Sequence, residues 1–149
     1  MDNSGLDAIF KKVADVSKRE NNVWQMMIEG VPMLAVTDER ADRMRIMSPI
    51  GPAENLDAEI MMRIMQANFD SALDARYAVA QGQVWSVFIH PLSNLDAKQV
   101  ISGLAQVANC VTTFGTSFSS GVFVFGGGDS QELERNRLDR LLKKGEVEL

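Results

Sequence analysis

Residue types that most often carry catalysis are sparse in this chain, whose 149 residues include one histidine and one cysteine. His90 lies directly before Pro91, and no Gly-x-Ser-x-Gly nucleophile motif accompanies it. A single histidine cannot supply a histidine-rich metal site. Cys110 lies at the flank of an apolar helical stripe, without a cationic neighbour in the sequence. We interpret His90 as structural and Cys110 as a small core residue; an enzyme using His90 with nearby carboxylates is the rival hypothesis.

Acidic pairs and a glycine run are the other candidates for chemistry. Asp57 with Glu59, and Asp70 with Asp74, can be read as acid–base couples, but capping and solvation of a helix explain them better. The run Gly126–Asp129 lacks the Gly-Lys-Ser/Thr ending of a phosphate loop and matches no dinucleotide fingerprint. We interpret the run as a flexible joint before a helix. The sequence therefore predicts neither an enzyme nor a bound cofactor or metal.

Composition restricts the partners and the compartment. A net charge of −5 repels phosphate backbones, so nucleic-acid binding is not expected. No apolar run reaches the ~18 residues of a membrane span, and the N-terminus lacks a signal-peptide pattern. With one cysteine the chain has no disulfide framework, which fits a reducing compartment, so a cytoplasmic protein is predicted. The nine methionines are either flexible core filler or an adaptable surface for apolar partners.

The strongest strand signal is Gln83–Pro91, which is apolar on both faces and is therefore predicted to be an interior strand covered on both sides. The segment Ala75–Ala80 can pair back onto it through a turn at Gln81-Gly82. Three earlier strands form an antiparallel meander, because their loops are too short for parallel crossovers. These strands are Val23–Glu29, Val31–Thr37 and Asp42–Ser48, closed by Pro49–Pro52.

Helical patterns surround these strands. The first helix is capped by Ser4 and ends at Asn21-Asn22, and the second runs from a cap at Asn55 to about Asn68. The third helix runs from about Asp96 to Phe114, and a charged fourth helix covers Ser130–Lys144. The second helix is apolar over more of its circumference than one sheet contact requires, so it is predicted to be buried on two sides. A second copy of the chain is the simplest partner for the outward side.

Grouped strands predict an α+β fold, an antiparallel sheet in the order α-β-β-β-α-β-β-α with helices packed on it, followed by a C-terminal tail with a helix. The domain is expected over residues 4–114 and the extension over 115–149. The apolar side chains of the meander can form core or a partner patch, and both readings stay open. Trp24 and Met27 point to opposite faces, so some apolar surface is expected outside. Arg43 and Arg45 share one strand face, either solvated or contacting an acidic partner.

The chain resembles the CesT/Tir-chaperone class of type III secretion chaperones in its element order and in three segments. Phe69–Tyr77 (Phe-Asp-Ser-Ala-Leu-Asp-Ala-Arg-Tyr) leads into Val84–Leu92 (Val-Trp-Ser-Val-Phe-Ile-His-Pro-Leu), and Leu95–Ala97 opens the third helix. The resemblance covers roughly residues 4–114. It implies a small, acidic, cytoplasmic bacterial homodimer without enzymatic activity, which holds an extended segment of a secreted protein along helix 1 and the sheet.

The candidate site residues combine the pattern with the resemblance. The candidate partner-binding residues are Phe10 on helix 1 and the meander side chains that can be either core or partner patch, Trp24, Met26, Met33, Leu34 and Met44. The implied dimer-interface residues, on helix 2 and the last strands, are Met62, Met65, Phe69, Trp85 and Phe88. The alternative function is that of a regulatory or scaffolding relative of this fold, which binds a folded partner through its tail, Val122–Leu142.

Overall fold

The computed structural model of the chain describes residues 1–70, 72–117, 123–124 and 130–147. The helices are α1 (Asn3–Val13), α2 (Ala58–Asp70), α3 (Ala97–Thr113) and α4 (Ser130–Lys144), with a 3₁₀ turn at Ala53–Asn55 before α2. The strands are β1 (Val16–Glu20), β2 (Val23–Ile28), β3 (Val31–Asp38), β4 (Arg43–Pro52), β5 (Arg76–Ala80), β6 (Gln83–His90), β7 (Thr116–Ser117) and β8 (Phe123–Val124).

Six of the strands form one antiparallel sheet in the order β1-β2-β3-β4-β6-β5, and β7 pairs with β8 in a small separate hairpin. This arrangement confirms the predicted α+β class with helices packed on the sheet. Two-residue turns connect β2 to β3 at Glu29-Gly30 and β5 to β6 at Gln81-Gly82, and all four turn residues have positive φ. Such turns match the twist of the strands they join, which fixes the register of both hairpins.

The first helix is shorter than its pattern predicts. It ends at Val13, and residues 16–20 form the edge strand β1, paired with β2 from Val16↔Met27 to Glu20↔Val23. Val16 continues the helical stripe, but pairing with β2 outweighs that local pattern. The N-cap is Asp2, whose carboxylate accepts a hydrogen bond from the Gly5 N–H at 2.8 Å, and not Ser4.

Two other boundaries also differ from the prediction. The segment Pro49–Pro52, expected to close the meander, continues β4 through an irregularity between Pro49 and Gly51. At the start of α2 the capping carboxylate belongs to Asp57, which accepts a hydrogen bond from the Ile60 N–H at 2.9 Å, and not to Asn55. Proline and glycine are tolerated at an irregular strand end, which explains the longer β4.

The core lies between one face of the sheet, here called the inner face, and helices α1, α3 and α4. Phe10 of α1 meets Trp24 of β2 edge-on, with ring centroids 5.5 Å apart. Gly103 lets α3 approach β6 so closely that a Cβ atom there would lie 2.8 Å from the Phe88 ring. At the start of α3 the Asp96 carboxylate accepts a hydrogen bond from the Gln99 N–H, and the Gln99 side chain accepts one from the Asp96 N–H, so the two residues form a capping box.

The C-terminal helix α4 has the predicted bounds and packs against α3 and α1. Its Leu141 and Leu142 are buried in the same core as the sheet residues. Arg137 and Arg140 both donate hydrogen bonds to the carboxylate of Glu29 in the β2–β3 turn, at 2.7–3.0 Å. The expected flexible joint at 126–128 lies outside the described residues.

Candidate protein-binding surfaces

The face of the sheet opposite the core, here called the outer face, is accessible across all six strands. Side chains alternate between the two faces, and the strand residues of the outer face are all exposed or half-buried. The inner-face residues of β2, of β3 and of β4 as far as Ser48 are by contrast all buried. In the described part of the chain, therefore, the helices bury one face of the sheet and leave the other available.

Apolar side chains form the centre of the outer face. Two cross-strand rows run through it. In one row Leu34 lies opposite Met47, which lies opposite Val87, and in the other Val36 and Ile89 flank Arg45. Trp85 lies two residues before Val87 on the same face of β6. We call this group the outer apolar patch; it consists of Leu34, Val36, Met47, Trp85, Val87 and Ile89. Ile89 is 53% exposed, and the other five are half-buried by their neighbours.

The two edges of the sheet differ in their backbone accessibility. On the β5 edge the side-chain amide of Asn68 in α2 donates to the Tyr77 carbonyl at 3.0 Å and accepts from the Tyr77 N–H at 2.7 Å. This amide satisfies the edge-facing backbone groups of Tyr77 in place of a neighbouring strand. The β1 edge is paired only with β2 among the described strands, and its charged residues 18–20 are exposed. An added strand can therefore pair along the β1 edge.

A second apolar surface lies on α2. Met62, Met65 and Phe69 are spaced three and four residues apart, so they share one face of the helix. They are 61%, 66% and 91% exposed, while Ile64 and Ala67 on the other side are buried. We call these three residues the α2 stripe. A large, exposed and contiguous apolar stripe of this kind is typical of an interaction surface.

The residues predicted to bind a partner are mostly in the core. Phe10, Trp24, Met26, Met33 and Met44 are each no more than 5% exposed, because they point from α1 and the inner face into the interior. A partner cannot reach them in this structure. Leu34 alone of the six lies on the outer face and is half-buried. Contact between these six residues and a partner stays a prediction. Of the six, Leu34 is the one whose side chain a partner can reach in the folded chain.

The residues predicted for the dimer interface divide into three groups. Met62, Met65 and Phe69 form the exposed α2 stripe, and Trp85 is half-buried in the outer apolar patch. Phe88 is buried because its ring lies beneath α3 against Gly103. The role of these residues in a dimer stays a prediction. The Phe88 side chain is too deeply buried to contact a second chain in this structure.

Sequence reasoning did not single out Val36, Met47, Val87 and Ile89 as site residues. The alternating pattern in the sequence does place these four residues together on one face, since each alternates with an inner-face residue along its strand. The pattern alone does not show which of the two faces the helices cover. Once α3 is placed over Phe88, the alternation assigns Val87 and Ile89 to the outer face.

The residues considered for chemistry have structural surroundings. The His90 ring stacks on Phe88 with centroids 5.9 Å apart, and its Nδ1 lies 2.8 Å from the Pro91 carbonyl oxygen. Cys110 is buried, and burial raises the pKa of its thiol, which disfavours the nucleophilic thiolate. Burial likewise raises the pKa of the Tyr77 hydroxyl, which donates a hydrogen bond to the Cys110 carbonyl oxygen at 3.2 Å.

No group of three or more histidine, cysteine or carboxylate side chains with metal-binding geometry occurs among the residues that the structure describes. Among the helices in the described ranges, none combines the length and the apolar character needed to cross a bilayer.

Comparison with solved structures places this architecture. The chain superimposes on a chain of the Yersinia pestis type III secretion chaperone SycH in complex with a stable fragment of YscM2, with TM-score 0.57, 12% identity and coverage of 74% of this chain and 96% of that one. A chain of the HopA1-SchA chaperone-effector complex matches with TM-score 0.53 and 11% identity over 75% and 95% of the two chains. A chain of the ExsC-ExsE complex matches with TM-score 0.52 and 14% identity over 73% and 90%.

These likenesses confirm the fold predicted from the sequence, which is that of type III secretion chaperones. No protein-family model matches the chain. No curated protein matches it in sequence.

Proposed function

We propose that this protein is a non-enzymatic, chaperone-like binding protein that holds an extended segment of a partner protein on the outer face of its sheet. The observation that carries the proposal is the outer apolar patch, an apolar surface in the middle of a six-stranded sheet on a face with no buried strand residue. The solved neighbours support it, because two of them are complexes of a chaperone with an effector or with a protein fragment.

The energetics of holding a segment are consistent with a surface of this kind. Ordering an extended segment costs about 2–5 kcal/mol of the gross interaction energy. At about 25 cal/mol per Å² of apolar surface removed from water, burial of roughly 80–200 Å² offsets that cost. Six apolar side chains with their partner's complement can supply this area, and hydrogen bonds along the β1 edge add to it.

We further propose that the protein is a homodimer and that the α2 stripe is its self-contact. Met62, Met65 and Phe69 are the most exposed large apolar side chains of α2, and their surface lies apart from the outer apolar patch on a different element. A dimer that buries them leaves the outer face of each subunit open for a partner. The chemistry of the binding surfaces requires no cofactor, and we expect the dimer to act in the cytoplasm.

In the described part of the tail, the alternative function, a folded partner bound through 122–142, finds its exposed apolar side chain on α4. Leu141 and Leu142 are buried and unavailable, whereas Leu133 is 62% exposed. Leu133 therefore serves both as the test of this alternative and as a control for the first proposal.

The test is a titration with reduced, carboxymethylated α-lactalbumin, a permanently unfolded polypeptide that carries a fluorescent label. We expect saturable binding to the wild-type protein and a loss of affinity of about tenfold or more when Met27→Ser and Ile89→Ser are combined, since both changes remove exposed outer-face apolar surface. The matched variant Leu133→Ser removes a side chain of similar exposure from α4 and should bind as the wild type does. Equal losses in the two variants, or a loss confined to Leu133→Ser, would count against the outer face and favour α4.

A further inference from the structure

Arg45 occupies an unusual position at the centre of the outer face. In the sheet register it lies between Val36 on β3 and Ile89 on β6, and Met47 follows it on its own strand. Arg45 is exposed, and among the described residues no carboxylate forms an ion pair with it. It is therefore a cation with apolar side chains on both neighbouring strands and on one side along its own strand, where Arg43 lies on the other side, on the surface that we propose as the binding site.

The other cations of the outer face have partners or polar neighbours of their own. Arg43 lies directly opposite Asp38 in the register. The Arg76 guanidinium donates hydrogen bonds to the carbonyl oxygens of Ala72 and Ala75 at 3.1 and 3.2 Å. Lys18 lies opposite Gln25 on the edge strand. Lys18 and Arg43 likewise form no ion pair among the described residues. Arg45, however, is the cation that lies between Val36 and Ile89 at the centre of the apolar surface, so its charge is the one that a segment crossing the patch meets.

The charge balance of the outer face differs in sign from that of the chain. Its strands carry four cations, Lys18, Arg43, Arg45 and Arg76, against two carboxylates, Glu20 and Asp38, which leaves an excess of two positive charges. The whole chain carries a net charge of −5. Because the local excess opposes the overall charge, the outer face is the region to which an acidic group is attracted.

We infer that the segment held on the outer face is apolar with a carboxylate side chain placed to meet Arg45. This inference rests on the proposed function and specifies the chemistry of its partner. Apolar side chains of the segment contact the outer apolar patch on both sides of Arg45, and one aspartate or glutamate forms a charge-assisted hydrogen bond with the guanidinium. A guanidinium covered by a wholly apolar segment would lose its hydration without a partner, so the site selects against segments that lack the carboxylate.

The test uses three labelled ten-residue peptides in which leucine alternates with serine and one central leucine is replaced by glutamate, glutamine or lysine. Anisotropy titrations against the full chain should show about two- to fivefold tighter binding of the glutamate peptide than of the glutamine peptide, the range expected of an exposed charge pair. The lysine peptide should bind weakest. With Arg45→Met the glutamate and glutamine peptides should bind within about twofold of each other, and with Arg45→Glu the lysine peptide should be preferred.

Lys98→Glu is the matched control, because Lys98 is an exposed cation on α3 and its replacement changes the net charge as Arg45→Glu does. This variant should keep the preference for glutamate. Equal binding of all three peptides by the wild type would overturn the inference about Arg45 and leave the proposed function standing, whereas binding of none would overturn both. If Arg45→Met still prefers the glutamate peptide, the selectivity lies elsewhere on the protein. If Arg45→Glu changes the oligomeric mass, the outer face contacts a second copy of the chain. Either result overturns the inference.

Discussion

Glu29 connects the β2–β3 turn to the C-terminal helix through a single carboxylate. Its backbone has φ of 47°, a conformation that non-glycine residues adopt at a cost of roughly 1–2 kcal/mol. Its carboxylate accepts hydrogen bonds from Arg140 and Arg137, and the ion pair with Arg137 is largely shielded from water. The cost in the turn is offset by the contacts to α4, so we interpret Glu29 as the residue that anchors this helix to the sheet.

A pH dependence of stability follows from this anchor. Hydrogen bonds from Arg140, and secondarily from Arg137, hold the pKa of the Glu29 carboxyl below the ordinary value of a glutamate. The contribution of Glu29 is therefore present above the pKa of the unfolded chain and is lost as the pH falls through the lower pKa of the folded state. We expect Glu29→Gln to lower the free energy of unfolding by about 1–2 kcal/mol at pH 7, with the difference from wild type shrinking below about pH 4. Urea unfolding at pH 7 and pH 3.5 measures both values.

The control for this prediction is Glu20→Gln, which removes an exposed carboxylate from β1. This variant should unfold with a free energy within about 0.5 kcal/mol of the wild type at both pH values. If Glu29→Gln is as stable as wild type at pH 7, the anchoring role of Glu29 is wrong.

The α2 helix carries the prediction about self-association. With Met62→Ser, Met65→Ser and Phe69→Ser combined, the exposed apolar stripe is replaced by polar side chains while the buried Ile64 and Ala67 are kept. We expect the wild type to sediment at twice the chain mass of 16.4 kDa and the triple variant to sediment as a monomer, since the self-contact loses its apolar surface. Circular dichroism of the variant should match the wild type. Leu133→Ser, which leaves α2 intact, should remain dimeric; a wild type that is monomeric at micromolar concentration would contradict the proposed interface.

Elements with strong local signals were predictable from the sequence. The bounds of α4, the capping box of α3 and the turn at Gln81-Gly82 follow from local patterns, and the structure has each of them. The end of α1 was not predictable, because residues 16–20 keep a partly helical spacing and form a strand only where β2 is available to pair with them. Contacts between distant parts of the chain decided this boundary.

At the scale of the whole molecule, the sequence predicted surplus apolar surface and placed part of it on α2, but it did not show which face of the sheet is exposed. Trp24, Met26 and Met44 have the same apolar character as Val36, Met47 and Val87, and only the position of the helices separates core from surface. The anchoring of α4 was also beyond sequence reasoning, since Arg137 and Glu29 lie 108 residues apart in the chain. The division between core and binding surface is a property of the assembled fold.

The most direct test of the account locates a bound segment on the surface. A photoreactive benzophenone side chain is placed at Ile89 on the outer face, at Met65 on α2, or at Leu133 on α4, and each protein is irradiated with the unfolded, carboxymethylated α-lactalbumin. The account predicts crosslinks to the polypeptide from position 89, crosslinks between two copies of the chain from position 65, and background levels from position 133. Crosslinking of the polypeptide from position 133 but not from position 89 would contradict it.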